Sequence, residues 1–569
     1  MNAEKVLKKY GTSSVKLNER LSRCINAEVA SGRQRAVTVC AYYKGEEICF
    51  VGGGWVRTDK RSRKKGEISS SGMSARSKRG RDEDKGWEAV KPSHLFGGFS
   101  LSKGVTAAAL LTTVDDSHLS WDQRVSDVWP EAGDDGCGSA KVSDLASHRG
   151  EVPLLVECLL QFLFVLIFGA GVWPLLWGVM TRYTLFRSRW HRATIGRFAR
   201  YHQVSFSYYM VPIIEGATKL PFGRYVRERI VATMGLAGSV SRAINGQTGG
   251  QASSAAGATG TGTGTGSTSG GGGGGGGGGD RVDGGGGGGG GGGDASRGGV
   301  TDGRLVDADD AGCRAELFLG GVPPQADERV VRIEQVPCGA SSLVRTPAVA
   351  RRSREPDGTL ARWLLLHVVA PIEGFWVSLL CNLSVYRRLL LPSSNGFFTA
   401  RAVCRLYGAL AAGGAVAAVD PITGRKTMHR LARADTINEV VHKLSDPSLD
   451  VEGEHPDTGF RGKGDALPAR LSSGWFPWAS AELHGERAAR AVINSEGMGG
   501  NASWADPTTG LAVCVLKSVY EPLSALGGSV SPDVVRIAAE LRVCLGIAEA
   551  GDEAWVAKND EEHRKWFGK

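Results

Sequence analysis

No C-x-x-C pair and no cysteine–histidine spacing suited to zinc occurs among the 569 residues, although the chain has 11 cysteines. A disulfide framework and a structural zinc site are therefore not expected, and no metal or cofactor is called for. The apolar neighbours of Cys40, Cys49 and Cys514 mark these three as buried, reduced thiols. The stretch Met1 to Tyr10 lacks the apolar core of a secretory leader, so the expected location is intracellular, either cytoplasmic or membrane-associated. A broad basic surface is also missing. The formal net charge is +9, but Lys60–Lys85 alone carries ten Lys/Arg against four acids, leaving the rest nearly neutral. Nucleic acid is accordingly not an expected partner. The run Lys60 to Lys65 reads as part of a solvated insertion, with a localisation signal or anion-binding loop as the competing readings.

Glycine is abundant but not in a phosphate-binding pattern. Residues 248–300 hold 29 of the 82 glycines, including the runs Gly270–Gly279 and Gly284–Gly293. No strand pattern precedes them and no Gly-Lys-Ser/Thr follows. Such a stretch buries too little apolar surface to offset its ordering entropy, so disorder is expected. The remaining chain divides into a helix and opening hairpin (1–59), the basic loop (60–86) and a helical region (87–247). Beyond the glycine linker come a larger remainder (301–550) and a charged tail (551–569).

Within these limits, Leu17, Leu21, Ile25 and Val29 predict an amphipathic helix over 16–31. Two strand-like runs, Ala36–Tyr43 and Glu47–Gly52, flank the turn signal Lys44-Gly45. Gly510–Leu516 predicts another strand and Pro532–Leu545 a closing helix, whereas 416–470 reads as a loop insertion. Val152–Met180 is nearly all apolar and precedes Arg182, Arg187, Arg189 and Arg192, a pattern that meets the criteria for membrane contact. A single span would place Ser100 and Tyr201 on opposite sides of a bilayer. An interfacial helix, a core helix and a stretch that is not genuine coding sequence therefore stay open beside it. Trp363–Leu383, broken by His367, Pro371 and Glu373, reads as a buried helix.

Chemistry enters at Ser100-Leu101-Ser102-Lys103. A serine three residues before a lysine shares one helix face with it. Partial burial and the positive helix end both favour the neutral amine, which can then accept the serine proton. The flanks give this short pattern its weight: Leu119-Ser-Trp-Asp122, Val125-Ser-Asp-Val-Trp-Pro130 and Val142-Ser-Asp-Leu-Ala-Ser-His-Arg-Gly150. Here the chain resembles the serine β-lactamase-related family, the class C lactamase/esterase type of penicillin-recognising fold. Tyr201-His-Gln-Val-Ser-Phe-Ser207 is similar to the family's second motif, and Pro392–Gly414 to its P-S-x-N-G-x-x-T-A-R segment. In the latter, Ser393 and Asn395 read as a polar turn capping an apolar helix, with Asn395 at the rim.

The resemblance implies an α+β fold, an antiparallel sheet flanked by helices with an inserted helical domain. It implies Ser100 as nucleophile, with Lys103 and Tyr201 handling protons and Gln203 in the place of the usual asparagine. Ala491–Pro507 aligns with the third motif, where a basic residue is usual. Here Ser495, Glu496 and Gly497 occupy that motif, and no cation is present. An acid in this place disfavours carboxylate substrates. Gly497, Gly499 and Gly500 permit close backbone approach, and the N–H groups of Met498 and Ser100 form the expected oxyanion hole. The expected activity is hydrolysis of a small-molecule ester or amide. The competing reading, motivated by the altered motif, is a catalytically impaired homologue acting as a membrane-associated or scaffold protein.

Overall fold

The computed structural model describes residues 14–58, 87–133, 136–149, 205–240, 315–335, 377–419, 425–442, 481–485, 491–520 and 531–567. The basic loop, Val152–Met180, the glycine linker, Tyr201 and Gln203 lie outside these residues. Among the described residues, no helix is long and apolar enough to cross a membrane.

Helix α1 (Ser14–Ala30) buries Leu17, Leu21 and Ile25 at four-residue spacing. The chain then enters β1 (Ala36–Tyr43), apolar at both parities and buried along its whole length. Val37, Val39, Ala41 and Tyr43 meet α1, while Ala36, Cys40 and Tyr42 join the second core beneath. Lys44 and Gly45 both take positive φ, 51° and 80°, which suits the twist of a two-residue hairpin into β2 (Glu46–Arg57). β3 (Trp87–Ala89) closes this edge. At the other edge stand β11 (Ile493–Gly497), β12 (Asn501–Asp506) and β13 (Leu511–Lys517), giving the antiparallel order β11-β12-β13-β1-β2-β3.

A second sheet, ordered β4-β8-β6-β5, is built from β4 (Phe96–Phe99), β5 (Ala237–Val240), β6 (Glu316–Leu319) and β8 (Gly396–Phe398). Two short pairs complete the strands. β7 (Glu334–Gln335) lies parallel to β14 (Val519–Tyr520), and β9 (Ala415–Val419) pairs with β10 (Lys426–Arg430).

Helix α2 (Leu101–Asp115) is apolar around most of its circumference and is buried through Thr113, as a central helix must be. α3 (Ser205–Thr218) packs beside it. α4 (Ala400–Ala411) lies on the inner sheet face, where Ser495, Ser503, Cys514 and Cys40 form one row in register. These small side chains admit the helix closely: the Cys404 thiol donates to the Cys40 carbonyl at 3.0 Å. Outside the sheet, α6 (Pro532–Leu545) and α7 (Asp552–Phe567) pack with α1. The buried Lys517–Asp533 pair, 2.8 Å apart, and the Arg542–Asp552 fork fasten them.

Three expectations need correction. The region 416–470 is not all loop, because its described part contains β9, β10 and α5 (Ala434–His442). The alanine-rich Ala415–Val419 carries little strand propensity of its own and is held by pairing with β10. Residues 377–381 are helical as expected, but Leu379 is 44% exposed, since the helix buries only one side, through Cys381, and Leu383 in the bend that follows is 40% exposed. Helix α4 is capped by Thr399, whose hydroxyl accepts from the Ala402 N–H at 3.3 Å, not by Ser393 and Asn395. Asn395 is wholly buried rather than at a rim. Its amide bonds the Leu391 N–H at 3.1 Å and the Tyr386 carbonyl at 3.0 Å, which fixes the turn from inside.

Candidate active site

The nucleophile candidate sits where β4 breaks into α2. Phe99 holds φ at +48°, a conformation uncommon for an aromatic residue, and this turns the chain sharply into the helix. Ser100 follows at the helix N-cap position, φ −66° and ψ −9°. Ser102 fastens the corner: its hydroxyl donates to the Phe99 carbonyl at 2.5 Å and accepts from the Gly396 N–H at 2.8 Å. Both ties lie between the helix start and the smaller sheet.

Lys103 is fully buried one turn along the same face. Its Nζ lies 3.4 Å from Ser100 Oγ and donates to the Ser393 carbonyl at 3.0 Å. The first distance is at the outer edge of hydrogen bonding, as is common for catalytic pairs without a bound substrate. Ser393 is itself anchored: its hydroxyl accepts from the Ser207 N–H at 2.9 Å and is paired with the Ser207 hydroxyl. Thus α3, which begins within the Tyr201–Ser207 motif, packs against the partner of Lys103. In sequence, Ser393 reads as part of a helix cap and Ser207 carries no evident role. A serine supplying a backbone carbonyl leaves no signal in residue type.

The third motif lies on β11, the edge strand of the larger sheet. Ser495 turns inward onto α2, with its hydroxyl fully buried and, among the described residues, without a hydrogen-bond partner. Glu496 alternates to the opposite face, where its carboxylate accepts from Asn494 Nδ2 at 3.1 Å. Burial pushes the Glu496 carboxyl up to about 7, and the Asn494 hydrogen bond opposes that shift. Gly497 abuts β4: a Cβ on it would stand 2.3 Å from the Gly98 carbonyl oxygen. Gly499 and Gly500 both hold positive φ, 83° and 84°, in the turn to β12. The glycines therefore bring the Met498 backbone beside the segment that delivers Ser100. Tyr520 underlies this junction, its ring 5.9 Å from that of Phe99.

Ser100, Lys103 and the Ser495–Met498 segment are thus gathered at one corner, and Tyr201 and Gln203 fall outside the described residues. Among the described residues no group of His, Cys, Asp and Glu is arranged to hold a metal ion.

Comparison with solved structures gives a family VIII carboxylesterase at 16% identity and TM-score 0.51, covering 93% of this chain and 97% of that one. A penicillin-binding protein homologue from Caulobacter crescentus matches at 16% identity, TM-score 0.50, with the same coverage. EstA from Arthrobacter nitroguajacolicus Rue61a matches at 15% and TM-score 0.50, again covering 93% and 97%. At such identities the likeness speaks for the fold, which is β-lactamase/transpeptidase-like. Comparison with curated protein sequences gives no match. The profile of the family described as Beta-lactamase spans residues 21–523, from within α1 to just beyond β14, and the chain belongs to that family.

Proposed function

We propose that the chain is a serine hydrolase that cleaves an ester, and less readily an amide, through an acyl-enzyme on Ser100. The observation that carries this reading is the buried Lys103 nitrogen, 3.4 Å from Ser100 Oγ and fixed from behind by the Ser393 carbonyl. In the proposed reaction the neutral Lys103 amine takes the Ser100 proton as Oγ bonds to the ester carbonyl carbon. The resulting oxyanion accepts from the N–H groups of Ser100 and Met498. Collapse breaks the carbon–oxygen bond to the alcohol, which leaves with a proton relayed through Lys103 and Tyr201. Water then repeats the sequence in reverse roles and releases the acid. One protein of the same fold is a carboxylesterase by name, which supports an ester as substrate.

The substrate is expected to lack a carboxylate near the reacting carbonyl, because Ser495 offers no cation to pair with one. Gln203 is proposed to line the same site. Contact of Val152–Met180 with a membrane is a separate proposal, which vesicle flotation of the full chain would test.

A fluorophosphonate probe tests the catalytic reading. Wild-type protein is expected to be labelled covalently and Ser100→Ala to be blank. Folded wild-type protein that stays unlabelled would overturn hydrolysis and favour the second reading, a scaffold with a silenced site, which the cation-free Ser495 position motivates.

A further inference from the structure

We propose that Asn501 is a positioning residue, whose side-chain amide sets the distance between the oxyanion-binding turn and the nucleophile. This inference rests on the hydrolase reading of Ser100 and goes beyond it. The two halves of the site belong to different sheets. Ser100 leaves β4 of the smaller sheet, whereas Met498 follows β11 at the edge of the larger one. β4 and β11 are not neighbours in any ladder, so side chains must fix their separation.

Asn501, the first residue of β12, is 2% exposed and spans this seam. Its Nδ2 donates to the Gly97 carbonyl in β4 at 3.1 Å and approaches the Met498 carbonyl at 3.4 Å. Its Oδ1 accepts from the Lys517 N–H of β13 at 2.8 Å. One buried amide therefore joins the nucleophile strand, the turn carrying the oxyanion donor and the middle of the larger sheet. The close approach of Gly497 to Gly98 depends on that tie. Nothing else polar joins Gly97 or Gly98 to the turn among the hydrogen bonds of the described residues. An oxyanion donor acts over a few tenths of an ångström, and a displacement of about 1 Å costs on the order of 100-fold in rate. Asn501 needs no contact with substrate to matter.

The two halves of the amide separate position from stability. Asn501→Asp keeps an oxygen for the Lys517 N–H but loses the donor to Gly97. Asn501→Ala loses both. The experiment measures the rate of fluorophosphonate labelling, kcat and KM on a p-nitrophenyl ester, and melting temperature, with kcat normalised to titrated active sites. Both variants are expected to lose about 30-fold or more in kcat and labelling rate, with KM within about threefold of wild type. If Asn501→Ala does not fold, Asn501→Asp carries the comparison. Lower melting temperatures with wild-type kcat per titrated site would overturn the positioning role and leave the hydrolase reading standing. A wild-type chain that is not labelled removes both.

Discussion

Gly104 stands directly against Tyr407: a Cβ on this residue of α2 would lie 2.1 Å from the tyrosine hydroxyl and 2.9 Å from Ser495 Oγ. The absent side chain is what lets β11 and α4 close on the helix that carries Ser100 and Lys103. Gly104→Ala sets two effects against each other. Helix propensity favours alanine by about 1 kcal/mol, while overpacking a buried contact costs about 1–3 kcal/mol. Tyr407 is buried and held by packing, so the clash should win by up to about 2 kcal/mol. Urea unfolding reads this directly, and a variant as stable as wild type would show that the contact yields.

Lys103 is the next position at which the proposal can fail. Methionine approximates the lysine stem without its nitrogen, so Lys103→Met should keep the packing around α2 while removing the base. The labelling rate at Ser100 is expected to fall by about 100- to 10,000-fold, the usual range for general base loss. The Ser393 carbonyl would also lose its donor, so some loss of stability accompanies the change. A labelling rate within a few-fold of wild type would shift the base role to another group.

The scaffold is legible in the sequence wherever one residue pattern decides one structure. α1 shows its four-residue spacing, Lys44-Gly45 its hairpin, and Pro532–Leu545 its apolar face. The Ser100–Lys103 pair is legible because its chemistry depends on residue types at fixed helical spacing. The rest depends on partners distant in sequence. Asn395 looks like a surface turn residue, yet its amide bonds main-chain groups of Leu391 and Tyr386 in the interior. Asn501 is equally silent, since its role comes from Lys517 on the neighbouring strand and from Gly97, which meets it only once the two sheets pack together. β9 escapes notice because its alanines signal a strand poorly, and β10, largely polar and exposed, is defined by pairing with it.

Ser495 offers a test of whether the third motif still works. A buried hydroxyl without a partner costs about 1–3 kcal/mol of desolvation, whereas alanine at the same place costs nothing of that kind. Ser495→Ala should therefore be as stable as wild type or more so, by about 1 kcal/mol, with labelling unchanged. Thermal unfolding and labelling of the same preparation separate the outcomes. A drop in both would mean that substrate or water engages the hydroxyl during turnover.

On the other face of the same strand, Glu496 makes stability depend on pH. Burial raises its carboxyl from 4.5 to about 7, so the folded chain holds this proton more tightly than the unfolded chain does. The sign follows: its contribution is complete below the unfolded value and is lost as pH rises from about 4.5 through about 7. A shift of this size corresponds to about 3 kcal/mol at most. Glu496→Gln keeps an oxygen to accept from Asn494 and removes the ionisation. Its melting temperature should match wild type near pH 4.5 and exceed it at pH 8 by several degrees. Because β11 also carries the backbone that leads to Met498, the labelling rate of the Gln variant should fall less above pH 7 than that of wild type. Parallel melting curves for the two proteins across this range would show that Glu496 titrates alike in the folded and unfolded chains.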